Sequence, residues 1–289
     1  MRAQFIDTVL RLASADPKIQ IILGDISVFL FREFQAKYPD QIHNVGICEN
    51  TLISLAAGMS SVGLRPFVHT IGPFIVDRSF EHIKLDMCYN AFGGNIVTCG
   101  ASYDYAWDGS THHCPNDLLH LSSLPNCEVM QPGNKHEVDA LITSQYANHK
   151  TSYYRVSTQS HSFKFECEFG KAVIVKDLNA KTTIMTAGPI LQNVNDALSD
   201  LPVNIVYFHT LKPIDVPLIN RFKHTQIIVI HDALGLLEIL APIPNLRLKH
   251  IGLPDEFLAY YGHTDEIHKQ IGLDPHSIRS TVQDILDCV

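Results

Sequence analysis

The sequence predicts an α/β protein of two domains, each a mostly parallel sheet covered by helices. The chain has 289 residues, of which 46% are hydrophobic and 18% charged, and this length suggests about two domains of ordinary globular composition. Short apolar runs alternate with segments of helical periodicity, and this alternation predicts parallel strands joined by helical crossovers. The pattern breaks once, in the polar stretch at 158–170, which we interpret as a linker.

The first domain is expected at 1–160. Its predicted strands are short apolar runs at 19–23, 43–46, 66–70, 95–99, 128–131 and 152–156. One helix is predicted before Pro17. Further helices are predicted at 29–36, 51–62, 74–90, 116–124 and 136–148. Because the carboxyl ends of parallel strands meet at one edge of a sheet, a ligand is expected to bind there.

The second, smaller domain is expected at 168–289. Its predicted strands are 172–175, 182–185, 203–208 and 227–231, and its predicted helices are 193–200, 214–222 and 275–286. No internal repeat is visible. Neither GxGxxG nor GxxxxGK[ST] occurs, which argues against a nicotinamide cofactor or a P-loop nucleotide.

Composition excludes several classes of function. The net charge is −8 and basic runs are missing, which argues against nucleic-acid binding. The seven cysteines are irregularly spaced without a CxxC pair, so a disulfide framework or a zinc site is not expected. The N-terminus lacks the apolar centre of a signal peptide, and no apolar run is long enough to span a membrane. A cytoplasmic protein without a membrane partner is therefore expected.

Several motifs, in order, resemble those of transketolases. YPDQIHNVGICEN and LAAGMSSVGLRPF, within 34–90, resemble the family's pyrimidine-binding domain. DGSTHHCPNDLLHLSSLPN follows at 108–126, and FHTLKPID and the segment 251–274 resemble the second half of the family pattern. The resemblance covers nearly the whole chain and implies a thiamine diphosphate enzyme that transfers a two-carbon ketol unit between sugars, with phosphorylated sugars as the expected substrates.

Glu49 stands where transketolases place a glutamate against N1′ of the cofactor's aminopyrimidine. In an apolar wall the ionised form of a carboxyl group is disfavoured, so it can share a proton with N1′. The resemblance therefore implies that Glu49 binds and activates the cofactor. Taken locally, the residue also fits an exposed acid stabilised at a helix start.

Other residues match the family's cofactor wall. Phe74 and Phe80 fall where residues flank the pyrimidine ring, although both also suit a helix core. Asp25 matches the aspartate of the turn after the first strand, near the cofactor. Asp77 stands where some transketolases have an aromatic residue, so this part of the wall departs from the pattern.

The DGSTH segment matches the family's substrate channel. Asp108 and His112 correspond to an aspartate and a histidine that bind sugar hydroxyls and transfer protons. Ser110 replaces a usual proline and His113 a usual glutamine. His112, His113 and Cys114 could suggest a metal, but no partner cluster has ligand-like spacing, so no metal ligands are predicted.

Two arginines match phosphate-binding positions. Arg155, in YYRVS, corresponds to an arginine that holds a substrate phosphate, a role that suits a planar guanidinium. A surface ion pair at a strand end is the alternative. Arg2 matches a second such arginine more weakly.

One part of the family pattern is missing from this sequence. Thiamine diphosphate enzymes hold the diphosphate through Mg²⁺ on a GDG…N motif, and no GDG occurs here. The resemblance therefore implies a split transketolase, in which a separate N-terminal subunit carries GDG…N. A heterotetramer with a dimer of this chain is expected.

Alternatives remain open at this point. Deoxyxylulose-phosphate synthases and the beta subunits of 2-oxo acid dehydrogenases share the fold and the glutamate. The segment IVIHDALGLLEILAPIPNLRL is shorter than its family counterpart and lacks the usual acidic pattern. Together with Asp77, this leaves room for a non-catalytic interaction subunit.

Overall fold

The structure is a computed structural model that describes residues 1–287. The helices are α1 (Arg2–Ala15), α2 (Arg32–Lys37), α3 (Glu49–Ser61), α4 (Gly72–His82), α5 (Asp117–Ser122), α6 (Lys135–Gln145), α7 (Leu191–Leu198), α8 (Val216–Arg221), α9 (Leu236–Leu240), α10 (Thr264–Gln270) and α11 (Pro275–Asp287). The strands are β1 (Ile19–Leu23), β2 (Ile42–Asn44), β3 (Arg65–Ile71), β4 (Gly94–Cys99), β5 (Cys127–Met130), β6 (Thr151–Arg155), β7 (Ala172–Lys176), β8 (Thr182–Ala187), β9 (Asn204–Phe208), β10 (Thr210–Lys212), β11 (Gln226–Ile230) and β12 (Arg247–Ile251).

The first sheet has seven strands in the order β10-β5-β6-β4-β3-β1-β2. All neighbours are parallel except the pair formed by β10 and β5. Its central strands are mostly buried, and β1 (Ile19–Leu23) is buried throughout, as expected for a parallel sheet with both faces covered. Helices α1 and α6 cover one face, and α3, α4 and α5 cover the other.

The second sheet has five strands in the order β12-β11-β8-β9-β7. Its pairs are parallel except for β7 with β9. Helices α7 and α11 pack on one face. The predicted fold class, two mostly parallel α/β sheets, is therefore confirmed.

The two halves of the chain are joined more closely than the sequence indicates. Strand β10 lies in the C-terminal half, yet it pairs with β5 of the first sheet. The core between α3, α4 and α5 also continues into the second half, through Met185, Phe208 and Ile227. The predicted domain boundaries, 1–160 and 168–289, remain a prediction. One strand of the later segment, β10, belongs to the sheet of the earlier one.

Several local expectations differ from the structure. The single helix expected at 74–90 consists of α4 and a π-helical segment, Ile83–Tyr89, with non-helical dihedrals at Ser79. Helices α9 and α10 and strands β10 and β12 were not expected, because they are short and carry no clear local pattern. Among residues 1–287, no helix has both the length and the hydrophobicity that crossing a membrane requires.

Candidate cofactor and substrate site

The predicted site residues gather at the carboxyl edge of the first sheet. Asp25 follows β1, Glu49 opens the helix after β2, and Phe74 lies in the first turn of α4 after β3. Asp108 follows β4, and Arg155 ends β6. This is the edge at which parallel α/β sheets usually bind ligands.

Glu49 is the first residue of α3 and is only 2% exposed. Its Oε2 accepts a hydrogen bond of 2.6 Å from Nη1 of Arg78. Its Oε1 is buried and has no hydrogen-bond partner among the described residues. Because a buried polar atom without a partner is costly and uncommon, this oxygen is the strongest sign of a ligand position at this edge.

Phe74, Arg78 and His112 form a cluster beside Glu49. The guanidinium of Arg78 lies 4.9 Å from the ring centroid of Phe74. The ring of His112 meets Phe74 edge-on, with centroids 5.0 Å apart. Gly72 allows α4 to begin close to the neighbouring loop, since a Cβ there would lie 2.9 Å from Sγ of Cys114. Arg78 thus links Glu49 to Phe74, and Phe74 in turn contacts His112.

Asp77 and Phe80 lie next to His120 of α5. Nδ1 of His120 is 3.5 Å from a carboxylate oxygen of Asp77, and its ring centroid is 5.6 Å from that of Phe80. Burial raises the pKa of Asp77, and His120 acts in the opposite direction. Phe80 is therefore placed against the Asp77–His120 pair, on a different part of α4 from Phe74.

The DGSTH loop is partly exposed. Asp108 ends a short 3₁₀ turn and is exposed, whereas His112 is half-buried and its Nδ1 lies 3.0 Å from Oγ1 of Thr111. In the described part of the chain, no hydrogen bond joins the side chains of Asp108 and His112. His113 is buried, with its ring 5.0 Å from that of Tyr103. Burial lowers the pKa of His113.

Arg155 is 1% exposed and forms a buried ion pair with Asp117. Its Nε lies 2.8 Å and 3.1 Å from the two carboxylate oxygens, and Nη2 donates to the carbonyl of Cys114 at 2.8 Å. Burial alone lowers the pKa of Arg155, but Asp117 and Asp232 outweigh it and raise the pKa. The guanidinium is thus placed inside the protein, and its contact with a substrate phosphate stays a prediction.

Arg2 and Asp25 flank the same edge. Arg2 is half-buried at the start of α1, close to Cys99 at the end of β4. Asp25 is exposed and adopts a positive φ of 59°. Its backbone N–H donates to Oδ1 of Asn44, and Nδ2 of Asn44 donates back to its carboxylate, both at 3.1 Å. This exchange with Asn44 holds the turn after β1.

Sequence reasoning missed three residues of this region, namely Arg78, Asp117 and His120. Arg78 could have been found, since it follows Phe74 by four residues and therefore lies on the same helix face. Asp117 had no local signal, because its partner Arg155 is 38 residues away in the chain. The pairing of His120 with Asp77 likewise depends on the packing of α4 against α5.

Comparison with known proteins agrees with this geometry. The family model described as "Transketolase, pyrimidine binding domain" matches residues 1–162. A split-gene transketolase, solved as an inactive beta4 tetramer, has the same fold. Its TM-score is 0.82 at 24% identity, over 98% of this chain and 96% of that one.

Three relatives are similar in sequence. A 33.6 kDa protein of the fasciation locus of Rhodococcoides fascians is 28% identical over 94% of this chain and 90% of its own length. One of the subunits of the apulose-4-phosphate transketolase of Phocaeicola vulgatus is 27% identical, over 97% of this chain and 95% of that protein. The 1-deoxy-D-xylulose-5-phosphate synthase of Pseudoalteromonas translucida is 28% identical over 86% of this chain, which spans only 42% of that relative.

The family match covers more than half of the chain and includes Glu49 and the cluster beside it. The chain belongs to the transketolase family, with a pyrimidine-binding domain at residues 1–162.

Proposed function

We propose that this chain is one subunit of a thiamine diphosphate-dependent transketolase, which transfers a two-carbon ketol unit from a ketose donor to an aldose acceptor. The observation that carries the proposal is the buried carboxylate of Glu49 at the carboxyl edge of a parallel sheet, with one oxygen free of partners among the described residues. Similarity to a relative named as a transketolase subunit over nearly its full length supports it.

The residues around Glu49 fit the aminopyrimidine of the cofactor. Oε1 is free to accept a hydrogen bond from a protonated ring nitrogen, while Oε2 stays with Arg78. Phe74 offers an aromatic surface beside the carboxylate. Phe80 is proposed to border the ring from the side of His120.

Each residue at the sheet edge has a proposed task. Bound thiamine diphosphate would supply the electron sink that lets the bond between carbons 2 and 3 of a ketose break. Glu49 holds a proton at the pyrimidine nitrogen and so acts in general acid–base catalysis from a buried position. His112 and Asp108 accept and return protons at the sugar hydroxyls. Asp25 borders the cofactor, and Arg155 and Arg2 are the candidates for contact with a substrate phosphate.

A second subunit completes the proposed enzyme. The sequence has no GDG motif, and Mg²⁺ bridging a diphosphate needs carboxylate and amide oxygens. We propose that an N-terminal transketolase subunit supplies them. The assembly would be a heterotetramer built around a dimer of this chain, and we expect it in the cytoplasm.

A deoxyxylulose-phosphate synthase-like reaction is the second candidate, since a relative of that name is 28% identical over 86% of this chain. A 2-oxo acid dehydrogenase beta-like role and a non-catalytic role remain weaker alternatives. The full-length match to a transketolase subunit favours the transketolase reaction.

Titration calorimetry tests the proposal. Thiamine diphosphate with Mg²⁺ is titrated into this chain alone and into its mixture with a candidate partner that carries GDG…N. Tight binding is expected only in the mixture, and Glu49→Gln should abolish it, because a neutral amide cannot hold the proton. Glu33→Gln, an exposed change on α2, serves as the control. If Glu49→Gln and the unaltered chain bind thiamine diphosphate equally, Glu49 does not contact the cofactor.

A further inference from the structure

A cleft between the two halves of the chain lies beside the proposed reaction site. Its volume is about 610 Å³, within the range of small-molecule pockets. Asp77 and His113 line it from the first half, and Glu238, His250 and the segment 253–258 line it from the second. Asp77 directly precedes Arg78, and His113 directly follows His112. The lining of the cleft therefore includes the sequence neighbours of two residues in the cluster beside Glu49.

The charge in the cleft has one sign. Its described lining includes four carboxylates, those of Asp77, Glu238, Asp255 and Glu256, and neither a lysine nor an arginine. Burial lowers the pKa of His250, the second histidine of the lining, although Glu238 acts in the opposite direction. Within this described lining no lysine or arginine balances the carboxylates, so a phosphate ester entering the cleft would be repelled.

A separate observation indicates that the cleft takes a polar ligand. His113 is 9% exposed, and its Nε2 is buried with no hydrogen-bond partner among the described residues. A buried ring nitrogen of this kind normally has a partner. A hydroxyl or an amine of a ligand in the cleft would supply one.

The lining of the cleft also includes apolar side chains. Leu234, Leu237, Leu253 and Leu258 line it together with Phe257. Such a surface packs well against the C–H face of a sugar ring or a short carbon chain. The cleft thus combines carboxylates with hydrocarbon surface in one lining.

We propose that this cleft binds a small hydroxylated compound that carries an amine or no charge, and that it rejects phosphate esters. The buried ion pair of Arg155 agrees with this, because its guanidinium is held by Asp117 and does not line the cleft. The identity of the ligand rests on the proposed function. If the chain is a transketolase subunit, the ligand is its sugar acceptor or donor, and that substrate is not phosphorylated at the end that enters the cleft.

Three matched probes test the charge preference on this chain alone. D-glucosamine, D-glucose and D-glucose 6-phosphate differ in one substituent, and each is titrated while the ring resonances of His113 and the methyl resonances of Leu237 are followed by NMR. Glucosamine is expected to saturate at the lowest concentration. The phosphate ester should bind at least roughly tenfold more weakly, because its charge has the same sign as the four carboxylates. Equal or tighter binding of the phosphate ester, or no saturable shift with glucosamine, overturns the proposal.

Variants separate charge from fit. Asp255→Asn with Glu256→Gln, both in an exposed segment, should weaken glucosamine binding roughly fivefold to tenfold and leave glucose binding unchanged. His113→Gln should weaken both probes, and Glu33→Gln should weaken neither. If the charge variants do not alter glucosamine binding, the carboxylates do not select the ligand. The probes are titrated without cofactor, so failure here leaves cofactor binding by Glu49 untouched, and failure of cofactor binding leaves the cleft result standing.

Discussion

The carboxylate of Glu49 is satisfied on one side only. Arg78 holds Oε2, while Oε1 is buried without a partner in the described structure. The side chain of Arg78 is 50% exposed, so water screens part of its interaction with Glu49. Arg78 thus fixes the direction of the carboxylate and leaves one oxygen available. We assign Arg78 a positioning role, because its guanidinium contacts Glu49 and Phe74.

Replacing Arg78 should destabilise the chain through Glu49. Arg78→Gln is expected to lower the free energy of unfolding by about 1 to 2 kcal/mol, because a buried carboxylate loses its charged donor. In a Glu49→Gln background the same change should cost about 1 kcal/mol less. Urea unfolding of the single and double variants measures both effects.

Arg221→Gln is the control for Arg78→Gln. Arg221 pairs with Asp177 at 3.7 Å on the surface, so its replacement should be close to neutral. A double variant in which the two costs simply add would show that Arg78 acts independently of Glu49.

Arg155 matches the family motif in sequence, but its guanidinium is buried in an ion pair. Its position at the end of β6 fits the expected sheet edge. Asp117 and the carbonyl of Cys114 then hold its guanidinium inside the protein. Removing one partner of a buried pair is strongly destabilising. Arg155 therefore has a structural contribution whether or not it also contacts substrate.

At the scale of elements, β10 connects the second half of the chain to the first sheet. It pairs antiparallel with β5. Nζ of Lys212, its last residue, donates to the carbonyls of Ser122 and Leu124 at 2.8 and 2.5 Å. These carbonyls lie at and after the end of α5, where a cation is favourable. Lys212 thus attaches β10 to α5 as well as to the sheet.

Lys212→Met should test this connection. The variant keeps the hydrocarbon stem and loses two charge-assisted hydrogen bonds, so the free energy of unfolding should fall by about 2 kcal/mol. Urea unfolding followed by circular dichroism measures the change. Lys223→Met, at an exposed site, should be neutral, and an equal effect of both changes would contradict the role given to Lys212.

At the scale of the whole molecule, buried histidines should make stability depend on pH. Burial lowers the pKa of His69 and of His231 to about 4. His69 contacts Ser27 and the carbonyl of Val97. Nε2 of His231 lies 2.8 Å from Oε1 of Gln131, which links the two halves.

The sign of the effect follows from proton binding. Below about pH 6.5 the unfolded chain protonates a histidine that the folded chain keeps neutral until about pH 4, so stability falls as the pH drops through this window. His69 and His231 should each remove about 2 kcal/mol of unfolding free energy between pH 7 and pH 5. His69→Gln should lose its share of this slope, as measured by urea unfolding at both pH values. His276→Gln, at an exposed site, should keep the full slope, and an unchanged slope in His69→Gln would refute the assignment.

The sequence by itself determined the fold class and the positions of the principal elements. Buried strands such as Ile19–Leu23 are continuous apolar runs, and helices such as α3 carry their periodicity locally, so both are visible without a structure. The motif around Glu49 also identified the family, because its residues are close together in the chain. Strands, helices and short motifs of this kind can be predicted from neighbouring residues alone.

Only the tertiary structure decided which side chains meet across the chain. The pairing of Arg155 with Asp117, the placement of β10 beside β5, and the cleft between Asp77 and Glu238 all join residues that are far apart in sequence. Burial of Arg155 and the unpartnered oxygen of Glu49 are likewise consequences of packing within the described residues. Such contacts depend on how the elements pack in three dimensions, and no local pattern of residues encodes them.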